Sequence, residues 1–266
     1  GFNDSEPPIG LRAAATATTV LARPRPRRDP SGTSAPHRRG PRTAGNRCLG
    51  APTRGAHNEE SAGHAAKERT HIMLFTEFEL SERVAESLSR QNFVKPTPIQ
   101  ERCLPILLKN RDVIGKAETG SGKTLAFGIP LIEAVEAARV SIQALVICPT
   151  RELAQQVAAD LEELGKEKGV GVALVTGGVH IRTQRRKSPG KQVVVGTPGR
   201  LIDLLEDRFL PNEWVEYFVL DEYARLLDMG FLEDIKRIVS RLPEDRQTAL
   251  FSATVPQEIL RHARRL

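Results

Sequence analysis

No stretch of the chain approaches the roughly 18 consecutive apolar residues that a membrane-spanning helix requires, so no membrane partner is expected. Cysteine is scarce and scattered. Cys48, Cys103 and Cys148 form no CxxC and no Cys/His cluster, which excludes a disulfide framework and a structural zinc site and makes a reducing compartment the default. Charge of one sign is missing from most of the molecule. The formal net charge is +6, yet residues 71–266 hold 27 basic and 27 acidic side chains, and the excess sits in residues 1–70, with 12 against 6. Net charge therefore assigns no nucleic-acid partner to the compact part. The 266 residues are enough for one large or two small domains.

Residues 1–70 also lack apolar side chains, with six of Leu, Ile, Val and Phe together against eight Pro and eight Gly. Such a segment cannot bury enough surface to offset the entropy of ordering, and it is expected to be a disordered basic tail. Its Arg-rich, acid-poor composition suits a transit peptide, a solvated linker or a nonspecific RNA contact, and composition leaves these open. The expected location is intracellular: a mitochondrion or chloroplast if the tail is a transit peptide, otherwise nucleus or cytoplasm.

From Phe75 onward the pattern changes. Short apolar or β-branched runs recur at residues 112–115, 143–149, 170–176, 192–196, 216–221 and 247–252, each of strand length. Between them lie helical patterns such as residues 151–168, where Leu153, Val157, Leu161 and Leu164 share a face. Buried strands alternating with helices predict an α/β fold, a mostly parallel sheet covered on both faces with its chemistry in the loops at the carboxyl ends of the strands.

The loop AETGSGKT, residues 117–124, stands between a predicted strand and a predicted helix. Small residues let backbone amides curl around phosphates at a helix N-terminus, Lys123 can reach the β and γ phosphates, and the Thr124 hydroxyl can ligate Mg²⁺. Ala117 replaces the Gly of the usual pattern. Such a loop needs an acidic partner on a neighbouring strand, and FVLDEYA supplies Asp221 for the magnesium and Glu222 as general base.

Together these residues resemble the DEAD-box family of ATP-dependent RNA helicases, in its first RecA-like domain. Phe75 with NFVKPTPIQ (92–100) looks like the adenine-recognition motif and AETGSGKT like motif I. PTRELA (149–154), TGG (176–178) and TPGR (197–200) look like the RNA-contacting motifs, DEYA (221–224) like motif II and SAT (252–254) like motif III. Order and approximate spacing agree over about residues 75–266. The resemblance implies a RecA-like three-layer sandwich over residues 71–266, with ATP and Mg²⁺ as cofactors.

On this resemblance the nucleotide is held by Phe75, Lys95, Thr97, Gln100 and Ala117, Glu118, Thr119, Gly120, Ser121, Gly122, Lys123 and Thr124. Gln100 can address the adenine edge in bidentate fashion and Phe75 can stack on the ring. Lys123, Asp221 and Glu222 are the expected catalytic residues, with Thr124 and Asp221 on the metal. Pro149, Thr150, Arg151, Gly177, Gly178, Thr197, Pro198, Gly199 and Arg200 are expected along the RNA backbone, which carries no base sequence. Ser252 and Thr254 are expected to couple the nucleotide loop to RNA.

Three departures qualify the resemblance. Tyr223 and Ala224 replace a small residue and a carboxylate, and Ala224 cannot accept hydrogen bonds from the SAT hydroxyls, so weakened coupling is expected. The stretch after TGG keeps Gln184 but places Ser188 at a usually apolar position, which suggests a distorted helix. A second RecA-like lobe, the expected partner, is absent from these residues. The leading expectation is the first lobe of an ATP-dependent RNA helicase, weakly active or inactive alone; the alternative is a noncatalytic nucleotide-gated RNA-binding module.

Overall fold

The computed structural model describes residues 19–23, 73–178 and 190–263. They belong to one of two compact units, the one that leaves out Pro26–His71. Strands β1 (Thr19–Arg23), β2 (Asp112–Lys116), β3 (Ala144–Ile147), β4 (Val172–Val175), β5 (Val193–Gly196), β6 (Tyr217–Leu220) and β7 (Gln247–Ser252) form one sheet in the order β1-β2-β7-β6-β3-β5-β4. All six predicted strands are present. Each pairs in parallel with its neighbours, and β1 alone runs antiparallel, at the edge beside β2.

Alternation along the strands divides the interior into two halves. Val113, Val146, Val195, Val219 and Phe251 face one way, onto helices α1 (Glu82–Arg90), α2 (Pro98–Leu107), α3 (Lys123–Ala134) and α4 (Arg151–Gly165). Their neighbours Leu145, Ile147, Val194, Phe218, Leu220 and Leu250 face the other way. They meet α5 (Pro198–Glu206), α6 (Tyr223–Asp228), α7 (Leu232–Val239) and α8 (Gln257–Ala263). Both faces are dry, so the strands read as continuous apolar runs. In α4 the predicted stripe holds: Val157, Leu161 and Leu164 are buried and Leu153 packs against them half-buried. Among the described residues no helix is long and apolar enough to cross a membrane.

One expectation changes. Thr19–Arg23 lies inside the segment read as a disordered tail, yet it pairs in full register with β2, from Thr19 opposite Lys116 to Arg23 opposite Asp112. The physical reason is local. Val20 and Leu21 are two of the tail's few apolar residues; Val20 packs half-buried against the core while Leu21 stays 45% exposed. The pairing also satisfies backbone groups that an open edge on β2 would leave unpaired. The rest of the tail, and Gln184 and Ser188, lie outside the described residues.

Because six strands are parallel, their following loops emerge on one edge of the sheet. Residues 117–122, 148–150, 176–178, 221–222 and 253–256, together with Thr197, therefore line a single crest. Since β7 and β6 lie between β2 and β3, the phosphate-loop strand has the DEYA and SAT strands as its near neighbours.

Candidate functional site

The loop after β2 leaves the sheet with Ala117 N–H donating to the Ser252 carbonyl at 3.0 Å, so motif I is pinned to the end of β7. Glu118, Thr119 and Gly120 are exposed, and Gly122 caps α3 with φ +89°. That conformation favours glycine, and so does the space: a Cβ there would stand 2.5 Å from Gln100 Nε2 and 3.0 Å from Thr97 Oγ1. The free amides at the start of the 12-residue α3 form an anion-binding end.

Lys123 is almost fully buried and its Nζ lies 2.5 Å from Glu222 Oε1, whose side chain is only 14% exposed. Thr119 Oγ1 donates to the same oxygen at 3.1 Å. Phosphate loop and motif II are thus joined by a charge-assisted contact across 99 residues of sequence. Glu222 itself adopts a left-handed backbone at φ 51°, a conformation that costs a non-glycine residue on the order of 1 kcal/mol and clusters at functional sites.

Asp221 is 3% exposed, and its Oδ1 accepts from Glu222 N–H at 2.9 Å. Burial pushes its carboxyl up from 3.8 to about 6; the Lys123 ammonium opposes this, Glu222 reinforces it and the Glu222 backbone hydrogen bond opposes it. The folded chain therefore holds this proton more tightly than the unfolded chain does. The ionised carboxylate costs stability on the order of 3 kcal/mol, a cost absent below the ordinary value and complete above about pH 6. Asp221→Asn keeps the acceptor for Glu222 N–H. It is expected to raise the urea midpoint near pH 8 and to lose that advantage toward about pH 4, and equal gains at both pH values would contradict the assignment.

Two neighbours had no signal in the sequence. Cys148 at the end of β3 is fully buried, and desolvation, with Asp221 and Glu222 adding to it, pushes its thiol well above the ordinary range, which keeps it neutral and unreactive. Asp160 on α4 has its carboxyl raised by burial and partly restored by a hydrogen bond from the Thr124 side chain. The proposed metal ligand Thr124 is thus engaged from α4 in this conformation. An acidic residue nine positions into an amphipathic helix looks like solvated surface, and only the packing of α3 on α4 brings it here.

Gln100 is buried, at 2% exposure, at the third position of α2. Its Oε1 accepts from Thr97 N–H at 2.8 Å and its Nε2 donates to the Gly122 carbonyl at 2.9 Å. An amide has two lone pairs and two N–H groups, so one of each remains for an adenine edge. Thr97 Oγ1 is buried beside Gly122 and has no hydrogen-bond partner among the described residues. Lys95 is exposed. Phe75 is 5% exposed within the main core cluster, tilted against Phe78 at 6.3 Å, so stacking on a base would require its neighbours to part.

The remaining loops continue along the crest. Pro149 is buried, and Thr150 caps α4 by accepting Leu153 N–H at 3.3 Å, a bond worth about 1 kcal/mol. Arg151 is exposed and its guanidinium overlies Gly177 and Gly178. Thr197 and buried Pro198 start α5, Gly199 is exposed, and Arg200 pairs with Asp203 at 3.5 Å.

Motif III differs in detail from the expectation. Ser252 is fully buried and its Oγ accepts from Ala224 N–H at 3.1 Å. Motif II and motif III therefore remain joined through a backbone amide, which does not depend on the side chain at 224. Thr254 is exposed. Tyr223 buries its ring in the second core half and its hydroxyl has no hydrogen-bond partner among the described residues, with burial pushing it up to about 12.

A buried orphan hydroxyl at Thr97, a glycine cradle at Gly122, an inward ammonium and a buried carboxylate fit a nucleoside triphosphate with a divalent cation. Gln100, Thr97 and residues 117–124 would hold the nucleotide, and Thr124 and Asp221 the cation. Among the described residues no group of three His, Cys, Asp or Glu could hold a metal ion.

A parallel sheet with a phosphate loop after one strand and an acidic pair after a near neighbour defines a P-loop nucleotide-binding lobe of RecA-like architecture. The family pattern for DEAD/DEAH box helicase matches residues 97–262. DEAD-box ATP-dependent RNA helicase CshA of Streptococcus pneumoniae is 48% identical over 190 residues, covering 71% of this chain and 36% of that protein. The protein of that name from Geobacillus kaustophilus is 48% identical over 194 residues, covering 72% and 41%. The crystal structure of a DEAD box protein from the hyperthermophile Methanococcus jannaschii superposes with a TM-score of 0.70 at 40% identity, covering 72% of this chain and 53% of that one. The chain belongs to the DEAD/DEAH box helicase family. It spans about a third to two fifths of the length of these curated relatives.

Proposed function

We propose that this chain is the first lobe of an ATP-dependent RNA helicase, binding Mg²⁺-ATP and the RNA sugar–phosphate backbone and, joined to a second RecA-like lobe, hydrolysing ATP to separate RNA strands locally. The observation that carries this reading is the contact of Lys123 with Glu222, next to Asp221, on the same crest as Arg151, Gly177 and Arg200. In the ligand-free geometry Lys123 neutralises Glu222. As phosphates enter the loop, Lys123 exchanges carboxylate for phosphate and Glu222 becomes available to orient and deprotonate an attacking water. Thr124 and Asp221 would hold the magnesium ion, which would supply neutralisation of the phosphate charge. Ser252 bonds both Ala117 and Ala224 N–H groups, so a shift of the phosphate loop moves motif II with it.

The test is a titration of this chain with a fluorescein-labelled oligouridylate and a matched mixed-sequence RNA, with and without Mg²⁺ and a non-hydrolysable ATP analogue. Expected are binding that nucleotide strengthens, equal affinity for the two sequences, and weakening with salt. Absence of nucleotide binding would refute the reading. The replacement of a carboxylate by Ala224 favours a second one, a noncatalytic nucleotide-gated RNA-binding module. It would show the same gated binding, with no RNA-stimulated phosphate release once a second lobe is present.

A further inference from the structure

Among the loops of the crest, the segment after β4 stands out for what it leaves room for. A Cβ on Gly177 would lie 2.9 Å from Arg151 Nη2, and one on Gly178 would fall within the guanidinium itself. Gly178 has φ +82°, so its backbone alone favours glycine, but Gly177 does not have a positive φ. Residue 177 could adopt its conformation with any side chain; what is missing is space beneath Arg151.

The arginine is equally unusual. Among the described residues its guanidinium has no hydrogen bond or ion pair, whereas Arg200 is tied to Asp203. Arg151 sits at the first position of α4, so its backbone is fixed by the helix and by the Thr150 cap. An exposed fork of five donors, lying on bare backbone and free of any carboxylate, is poised to grip a phosphate in bidentate fashion.

Resting on the RNA-binding role proposed above, we infer that Gly177 and Gly178 are a seat for the Arg151 guanidinium, and that this seat sets the affinity for a phosphate of the RNA backbone. The glycines act as positioning residues, and the arginine makes the contact. A methyl group at 177 displaces the fork without removing its charge. A lysine at 151 has no planar group to seat, so it should be indifferent to what lies beneath it.

The experiment is a titration of the labelled oligouridylate at several salt concentrations with the parent chain, Gly177→Ala, Arg151→Ala, Arg151→Lys and the two double variants. Gly177→Ala is expected to weaken binding about threefold to tenfold, the loss of geometry at one charge-assisted contact. Arg151→Ala should weaken it further and make the log–log salt slope shallower by about 0.7, as for one phosphate of a single strand. Adding Gly177→Ala to Arg151→Ala or Arg151→Lys should change nothing, so that the cycle assigns the whole glycine effect to the arginine. A Gly177→Ala chain that binds like the parent, or that loses as much without Arg151 as with it, overturns the seat while leaving the RNA reading intact. Parent binding that is absent, or indifferent to both salt and Arg151→Ala, removes that reading and the seat together.

Discussion

Glu222→Gln is expected to slow ATP turnover strongly in the two-lobed protein while tightening nucleotide binding to this chain. The carboxylate is the ligand-free partner of Lys123 at 2.5 Å, and both groups are largely shielded from water. Neutralising it strands a buried ammonium, which costs the ligand-free chain about 3 kcal/mol, the lower end for breaking one side of a buried pair. The same change removes the competitor that phosphate must displace. The expected signature in thermal unfolding is a lower melting temperature without nucleotide and a larger upward shift on adding Mg²⁺-ATP than the parent shows. Loss of the general base should slow hydrolysis by about a hundredfold or more. If ligand-free stability and nucleotide affinity both match the parent, the exchange of Lys123 between carboxylate and phosphate is wrong.

Lys123→Ala gives the opposite pattern. It removes the only ammonium that contacts motif II among the described residues, so nucleotide affinity should fall at least about thirtyfold, the scale for truncating one partner of a buried charge contact. Glu222 and Asp221 would then face each other without a neutralising cation, and the Asp221 carboxyl, which Lys123 now holds down, should rise beyond about 6. Isothermal titration with ATP measures the first effect directly. Retained affinity would overturn the site map, since no other residue of the loop carries a positive charge.

Much of this architecture could be read from residues alone, because parallel strands buried on both faces announce themselves as apolar runs. All six runs from 112 to 252 form strands, and the phosphate loop and Asp221 follow β2 and β6 as expected. Less was legible where the third dimension decides. Asp160 and Cys148 border the site only through packing, and periodicity marks neither. For Gln100 the sequence suggests an adenine-facing amide, but not its burial against the phosphate loop, which position three of a helix cannot reveal. For Ala224 the sequence shows a missing carboxylate; it does not show that a main-chain amide takes the Ser252 hydroxyl instead. Thr19–Arg23 escapes notice because five residues among polar neighbours become a strand only when an edge is offered to them.

The strand order has a further consequence for how the protein comes into being. On its inner side β2 pairs with β7, with Val113 opposite Ala249, so the strand that carries the phosphate loop finds its parallel partner only near the end of the described chain. Ala117 N–H likewise waits for the Ser252 carbonyl. During synthesis, which proceeds from the N-terminus, the apolar edge of β2 emerges long before that partner and cannot close until it arrives. The nucleotide pocket is therefore among the last parts of the lobe to be assembled, although the residues that name it are among the first of the sheet to be made.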